Sequence, residues 1–483
     1  MVHETEKDIA PAGGYAPPAP PRSNFAVSLR SPGAKFLMIG FISMVLLVPL
    51  LLVWGLTEER ASRAEDVSGR IANGWGGDQV VNGPYLAVPF DVDRRREVNG
   101  QSIVDRTTEW VLVMPETLDV AADLKTEEKQ LSIYSLPVYN GNVMLKGRFG
   151  SGILQDLARF SGTPRLENAI LVLSIQDITG IRSSAGVKID GGPVLPFDPG
   201  MRDISALTNR AGPEIAIRSD AGVHRVIERN LIETGFAFDI AFSLNGSGSF
   251  AVAPAGQTTS FAANADWPHP GFEGLFLPEQ KTVTATDFKA NWTIPYLARG
   301  IDRVVEGTRL PLSGSLMTIN LVEPVKFYQI IARTLKYSIG FISLVFLAVF
   351  IVELKGGTVV HWIQYVLTGL ALIIFYVLLL ALSEHTGFTA AYITASTSTA
   401  ALIASYLGSA TSSRRNGVAL FTALAVAYGV MYLVLNEDEY ALLAGAVISF
   451  IAIAATMYAT RRVDWSGGRG IADSQLCKRG GIV

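Results

Sequence analysis

The sequence holds a single cysteine, Cys477, among 483 residues. It cannot close an internal disulfide or build a cysteine-based zinc module. Charge is also scarce: Asp, Glu, Lys and Arg make up 17% of the chain, against about a quarter in an ordinary soluble domain. No basic excess exists, since 40 Lys and Arg face 43 Asp and Glu for a net charge of −3. That balance argues against a nucleic-acid partner. Histidine is thin as well, with His3, His224, His269, His361 and His385 the whole set. No pair has His-Glu-x-x-His spacing, and there is no Gly-x-Ser-x-Gly elbow or Walker loop. The residues therefore suggest a protein that is not an enzyme and uses no cofactor or metal.

What is abundant is apolar surface, 49% of the chain. It falls in one block near the N-terminus and another from about 337 to 460. This distribution excludes a plain cytosolic enzyme, a disordered chain and a collagen-like fibre. It predicts six transmembrane helices, with a large, mainly antiparallel β insert outside the cytoplasm between helices 1 and 2. The expected divisions are a disordered tail (1–35), the first span (36–56), a β-rich domain (57–336), a five-helix bundle (337–460) and a second tail (461–483).

Phe36–Leu56 is an uncharged run of 21 residues, long enough at about 1.5 Å per residue to cross a bilayer core. A signal peptide would also be basic and then apolar. Its core is shorter, however, and here Glu58, Glu59 and Arg60 follow where small residues would mark a cleavage site. An uncleaved anchor is the better reading. Pro49 inside it predicts a kink. Five further spans are expected at about Tyr337–Leu354, Val359–Leu382, Thr389–Gly408, Gly417–Leu435 and Tyr440–Thr460. The first of these is the weakest, with 16 uncharged residues between Lys336 and Glu353. The third is rich in hydroxyls (Thr394, Ser396, Thr397, Ser398, Thr399, Ser405) and reads as an interior helix packed closely on its neighbours.

Placing the N-terminus in the cytoplasm puts Arg22, Arg30, Lys35, Lys355, Arg414, Arg415, Arg461 and Arg462 on that side. The two short outer loops, Ser383–Phe388 and Asn436–Glu439, carry no Lys or Arg. This asymmetry is what the positive-inside rule requires. Both termini are then cytoplasmic. Trp54, Trp362 and Trp465 fall at span ends, as aromatic-belt or simple packing residues.

The insert begins as a helix running from Glu58 to about Asn73, ended by Gly74, Gly76 and Gly77. Strands are predicted at Tyr85–Val92, Thr107–Met114, Thr117–Lys125, Gln130–Tyr139, Val143–Phe149, Ala169–Gln176, Gly235–Leu244, Ser249–Val252, Thr258–Ala263, Thr282–Ala290 and Leu316–Val322. A short helix is expected at Gly152–Phe160. Asn140-Gly141 reads as a hairpin turn and Asn245–Gly248 as another. Two layered sheets are the expected arrangement.

Three clusters are candidates for interaction or function. Trp267-Pro268-His269-Pro270 with Phe272 is a stiff aromatic loop. It reads as a rigid connection between sheets, or as a presentation of His269 to a ligand. Ser383-Glu384-His385-Thr386-Gly387 closes the third span. His385 would suit a helix C-terminus when protonated, whereas Glu384 would not. An ionisable pair at a membrane boundary needs hydration or a partner. The acidic Asn436–Glu439 loop reads as a topology signal.

These residues carry a resemblance. Leu378 to Phe388, with Ser383-Glu384-His385-Thr386-Gly387 at its end, is similar to the signature of the CreD family of bacterial inner-membrane proteins. Asn264 to Pro270 with Phe272 and Leu277-Pro278 resembles that family's Trp-Pro-His-Pro segment. Val81 to Pro89 and Val463-Asp464-Trp465 also fit, and the resemblance covers about residues 30 to 465. It implies a multi-pass inner-membrane protein, a periplasmic insert and a role in envelope integrity and stress response. It implies no catalytic residues. The implied partners are the lipid bilayer and an envelope protein, lipid or cell-wall component. An alternative is a transporter or lipid-handling protein using the polar residues of the bundle. A membrane hydrolase built on His269 or His385 is a third reading, supported by residue type alone.

Overall fold

The structure, a computed structural model, describes residues 32–98, 101–131, 134–183, 185–202, 204, 221–306, 315–321, 327–356, 360–410, 414–436 and 441–461. The proline-rich tail, Glu437–Glu439, Trp465 and Cys477 lie outside the described residues. The chain forms two compact units, Glu58–Lys326 and a second made of Met1–Thr57 with Phe327–Val483.

The first unit is built on two sheets. One contains β1 (Gln79–Val98), β2 (Gln101–Val113), β5 (Thr163–Pro164), β6 (Ile170–Ile175), β9 (Asp198–Pro199), β10 (Val223–Val226), β12 (Ser249–Val252), β14 (Pro270–Glu273), β17 (Val304–Glu306) and β18 (Met317–Leu321). The other runs in the order β15 (Gln280–Val283), β16 (Phe288–Ile294), β13 (Thr258–Ala265), β3 (Thr117–Leu131), β4 (Tyr134–Phe149), β11 (Phe236–Ser247), β7 (Gly186–Ile189) and β8 (Val194–Pro196). Most pairs are antiparallel, but β1 with β12 and β3 with β13 are parallel, so the domain is mixed β. Alternation sets the faces. Phe288, Ala290, Trp292 and Ile294 of β16 point inward, while Lys289, Asn291 and Thr293 point out. Leu118, Val120, Ala122 and Leu124 do the same on β3. Every residue of β6 is buried. Residues of both sheets share one core, in which Phe261 stacks on Trp292 at 4.8 Å between centroids.

Three sequence expectations change here. Asn140-Gly141 is no hairpin: β4 runs straight through it, and Asn140 pairs with Asn245 on β11. Asn245–Ser247 is strand for the same reason, and only Gly248, with φ +72°, breaks the chain. The glycine at 246 answers crowding. A Cβ there would lie 2.3 Å from the Tyr139 hydroxyl oxygen, whose proton goes to the Ser249 carbonyl at 2.8 Å. Burial pushes the Tyr139 pKa well above its usual value, so the hydroxyl remains a donor. Gly246→Ala is expected to cost about 1–3 kcal/mol by overpacking, read as a lower urea midpoint for protease resistance of the full-length protein. Thr282–Ala290 is not one strand either. It is the β15–β16 hairpin, closed by Thr284 N–H on the Asp287 carbonyl at 2.8 Å.

The second unit is helical: α1 (Pro32–Val45), α2 (Leu47–Trp75, continuing into the β domain), α3 (Phe327–Gly356), α4 (Trp362–Thr386), α5 (Phe388–Ala410), α6 (Arg414–Asn436) and α7 (Ala441–Thr460). Among the described residues, four helical stretches are long and apolar enough to cross a membrane: Gly33–Trp75, Tyr328–Glu353, Trp362–Thr386 and Arg414–Asn436. Large apolar side chains such as Leu37, Leu52 and Leu402 are exposed on the bundle, as lipid-facing residues are. The break at Leu46 has a local cause. Pro49 has no N–H to give the Val45 carbonyl, and the helix resumes with Leu50 N–H on Leu46 O at 3.3 Å. Helix α3 starts ten residues before the expected Tyr337, because Ile330, Ile331 and Leu335 keep a buried stripe going past Arg333 and Lys336.

Helix α5 packs between α4 and α6 but is only half interior. Ala391, Tyr392, Ala395, Ser396 and Thr399 are buried, whereas Thr394, Thr397, Ser398 and Ser405 are exposed. Three of these four exposed hydroxyls, those of Thr394, Thr397 and Ser405, tolerate an apolar surrounding by bonding to the helix itself. Thr394 donates to Ala390 O at 2.8 Å and Ser405 to Leu402 O at 2.9 Å.

Candidate functional site

The two sequence motifs belong to separate compact units. Residues 383–387 lie at the end of α4. Ser383 is buried and its hydroxyl bonds back to Leu379 O. Thr386 does the same to Leu382 O at 3.0 Å. Gly387 ends α4 at φ +78°, where an L side chain is strained, and donates its N–H to Ser383 O at 3.2 Å. Phe388 already begins α5, so one residue turns the chain. Glu384 is half-buried, and Tyr328 at the start of α3 donates its hydroxyl to Glu384 Oε1 at 3.2 Å. His385 is exposed. The motif thus joins two helix ends and supplies an acceptor to a third helix.

Residues 266–269 carry the chain from β13 in one sheet to β14 in the other. Asp266 Oδ1 accepts from Thr126 N–H at 2.6 Å and from its hydroxyl at 2.8 Å. Trp267 packs on the core and its indole N–H bonds to His269 O at 3.2 Å. Phe272 meets Phe288 and Trp292 edge-on, at 5.7 and 5.9 Å. The His269 side chain is exposed and makes no hydrogen bond among the described residues.

Two further constellations were not read from the sequence. In the bundle, Lys35 donates to Glu353 Oε1 in a close ion pair. The same oxygen accepts Val360 N–H at 3.0 Å, and Oε2 accepts the Tyr365 hydroxyl at 2.9 Å. Side-chain exposure is 16% for Lys35 and 8% for Glu353. In the sequence Lys35 counts only toward the cytoplasmic charge and Glu353 only as the end of an apolar run, and nothing local marks them as partners. In the β domain, Arg299 is buried among backbone carbonyls. It donates to Ala255 O at 3.2 Å, Pro254 O at 3.4 Å and Ile301 O at 2.9 Å. Its Nε has no acceptor among the described residues. Burial lowers its pKa below the usual guanidinium value, opposed by nearby Tyr85. No group of three or more His, Cys, Asp or Glu side chains suited to a metal occurs among the described residues.

The comparisons with known proteins agree with the motifs. A family model described as inner membrane protein CreD matches residues 31–466, which takes in every described residue. The chain belongs to the CreD family. Inner membrane protein CreD of Escherichia coli (strain K12) is 31% identical over 425 residues, 87% of this chain and 91% of that protein. The CreD match takes in α1, both sheets and the helical bundle, and so includes both motifs. It makes the chain a multi-pass inner-membrane protein carrying a large mixed β domain. Among solved structures, a substrate-bound M1 zinc metallopeptidase mutant from Deinococcus radiodurans aligns over 72% of this chain and 94% of its own. Its identity is 10% and its TM-score 0.20, which carries no argument about fold or activity.

Proposed function

We propose that this protein is a non-enzymatic component supporting cell envelope integrity or the envelope stress response. In this reading six helices cross the inner membrane, both termini are cytoplasmic, and the β domain lies in the periplasm and contacts an envelope partner. One observation carries the reading. The β domain closes on its own hydrophobic core and is bracketed in sequence by Gly33–Trp75 and Tyr328–Glu353, each long and apolar enough to cross a membrane. The Lys and Arg asymmetry of the short loops supports the orientation. A labelling experiment tests it. In a Cys477→Ser background, Thr282→Cys on exposed β15 should react with an impermeant maleimide added to cells with a permeabilised outer membrane. Protection until the inner membrane is opened would reverse the topology.

The transport or lipid-handling reading is favoured by two buried hydroxyls in the bundle, Tyr376 and Tyr428, which have no hydrogen-bond partner among the described residues. Glu384→Gln separates the two. The amide still accepts from Tyr328 but carries no charge. Cells lacking the gene should take up more of an apolar fluorescent dye, and both wild type and Glu384→Gln should restore the barrier. Restoration by wild type alone, at equal abundance, would put an active task in the bundle.

A further inference from the structure

Between the end of α5 and the start of α6 lies an open groove of about 660 Å³. Ala401, Ser405 and Gly408 form one wall, Val418 and Phe421 the other, and Arg414 stands at its end. Gly417 marks a close approach of the two helices beside it: a Cβ there would come within 3.3 Å of Ala404 O. Beyond that point small side chains on α5 face larger ones on α6. Arg414 is exposed, and no described carboxylate lies within ion-pair distance of it. It begins a helix long and apolar enough to cross a membrane, so its charge sits where a span meets the headgroup layer. The first N–H groups of that helix add positive potential at the same end.

We infer that this groove binds an anionic phospholipid, with the phosphate on Arg414 and an acyl chain between Ser405 and Phe421. The charge favours an anionic headgroup over a zwitterionic one, as basic pockets between membrane helices do. The inference is independent of the envelope reading and of the orientation of the chain.

The test uses the full-length protein, delipidated in detergent and titrated with phosphatidylglycerol or phosphatidylethanolamine under native mass spectrometry. Wild type should retain phosphatidylglycerol selectively. Arg414→Gln should weaken that retention by about fivefold, the effect of one basic residue near the surface. Arg415→Gln, the same charge change outside the groove lining, should leave it unaltered. Ser405→Leu should lower retention by filling the groove, and Ala401→Leu does the same should Ser405→Leu fail to fold. Both positions are exposed. Equal effects of Arg414→Gln and Arg415→Gln would overturn the site in favour of general surface charge. So would equal retention of the two lipids, or no effect of the groove-filling variants. If those variants instead convert a dimer to a monomer while lipid retention stays constant, the groove holds a second copy of the chain and the inference fails.

Discussion

Arg299→Ala is expected to destabilise the β domain by about 3–5 kcal/mol, among the largest effects of any single substitution. The guanidinium ties the short helix Tyr296–Arg299 to the 254–255 turn and to Ile301. Its removal strands several buried carbonyl oxygens, each worth about 1–3 kcal/mol when left unpaired. It also empties space beside Met114, whose sulfur the side chain touches. Arg299→Lys should recover only part of the loss, because an ammonium cannot reproduce the planar fork. The measurement is the urea dependence of protease resistance in the purified full-length protein. A wild-type midpoint for Arg299→Ala would show that water replaces the guanidinium and that the site bears no strain.

Lys35→Ala should be the most damaging change in the bundle, at about 3–5 kcal/mol. It leaves the Glu353 carboxylate with Tyr365 and Val360 N–H but no counter-charge, in a place with little water. The pairing brings the start of α1 to the end of α3, so its loss should free the N-terminal helix from the bundle. A double variant decides whether charge is the cause. Lys35→Ala with Glu353→Gln should regain much of the melting temperature lost by Lys35→Ala, since no buried charge remains. Equal melting of the single and double variants would assign the loss to packing of the lysine stem instead.

Much of the molecule could be read along the chain. Membrane helices need long uncharged runs, because a span must cover about 30 Å of hydrocarbon with its backbone bonded internally. Those runs are local, and each expected span after Phe36–Leu56 coincides with a helix within a few residues at most ends. The early start of α3 is the exception, since a buried stripe is invisible where Arg333 and Lys336 interrupt it. Strand alternation is equally local, which is why Thr117–Lys125, Gly235–Leu244 and Thr258–Ala263 were legible. The motif at Ser383–Gly387 follows the end of an apolar run, which is local too, and in the structure it closes α4, with Gly387 as the cap.

Long-range meetings were decided only by the tertiary structure. Asn140-Gly141 and Asn245-Gly246 each carry a strong turn signal, yet they lie opposite one another in a continuous ladder. Cross-strand pairing and the crowding around Tyr139 outweigh a preference that belongs to isolated residues. Glu353 and Lys35 are 318 positions apart in sequence, and Arg299 finds its acceptors through backbone atoms that any sequence would possess. The sequence by itself determined which runs are apolar enough to form long helices and which strand faces are apolar, because solvent transfer acts residue by residue. Which charge meets which, and which carbonyls enclose a guanidinium, depends on how the elements pack, because those partners are brought together by the core and not by the local chain.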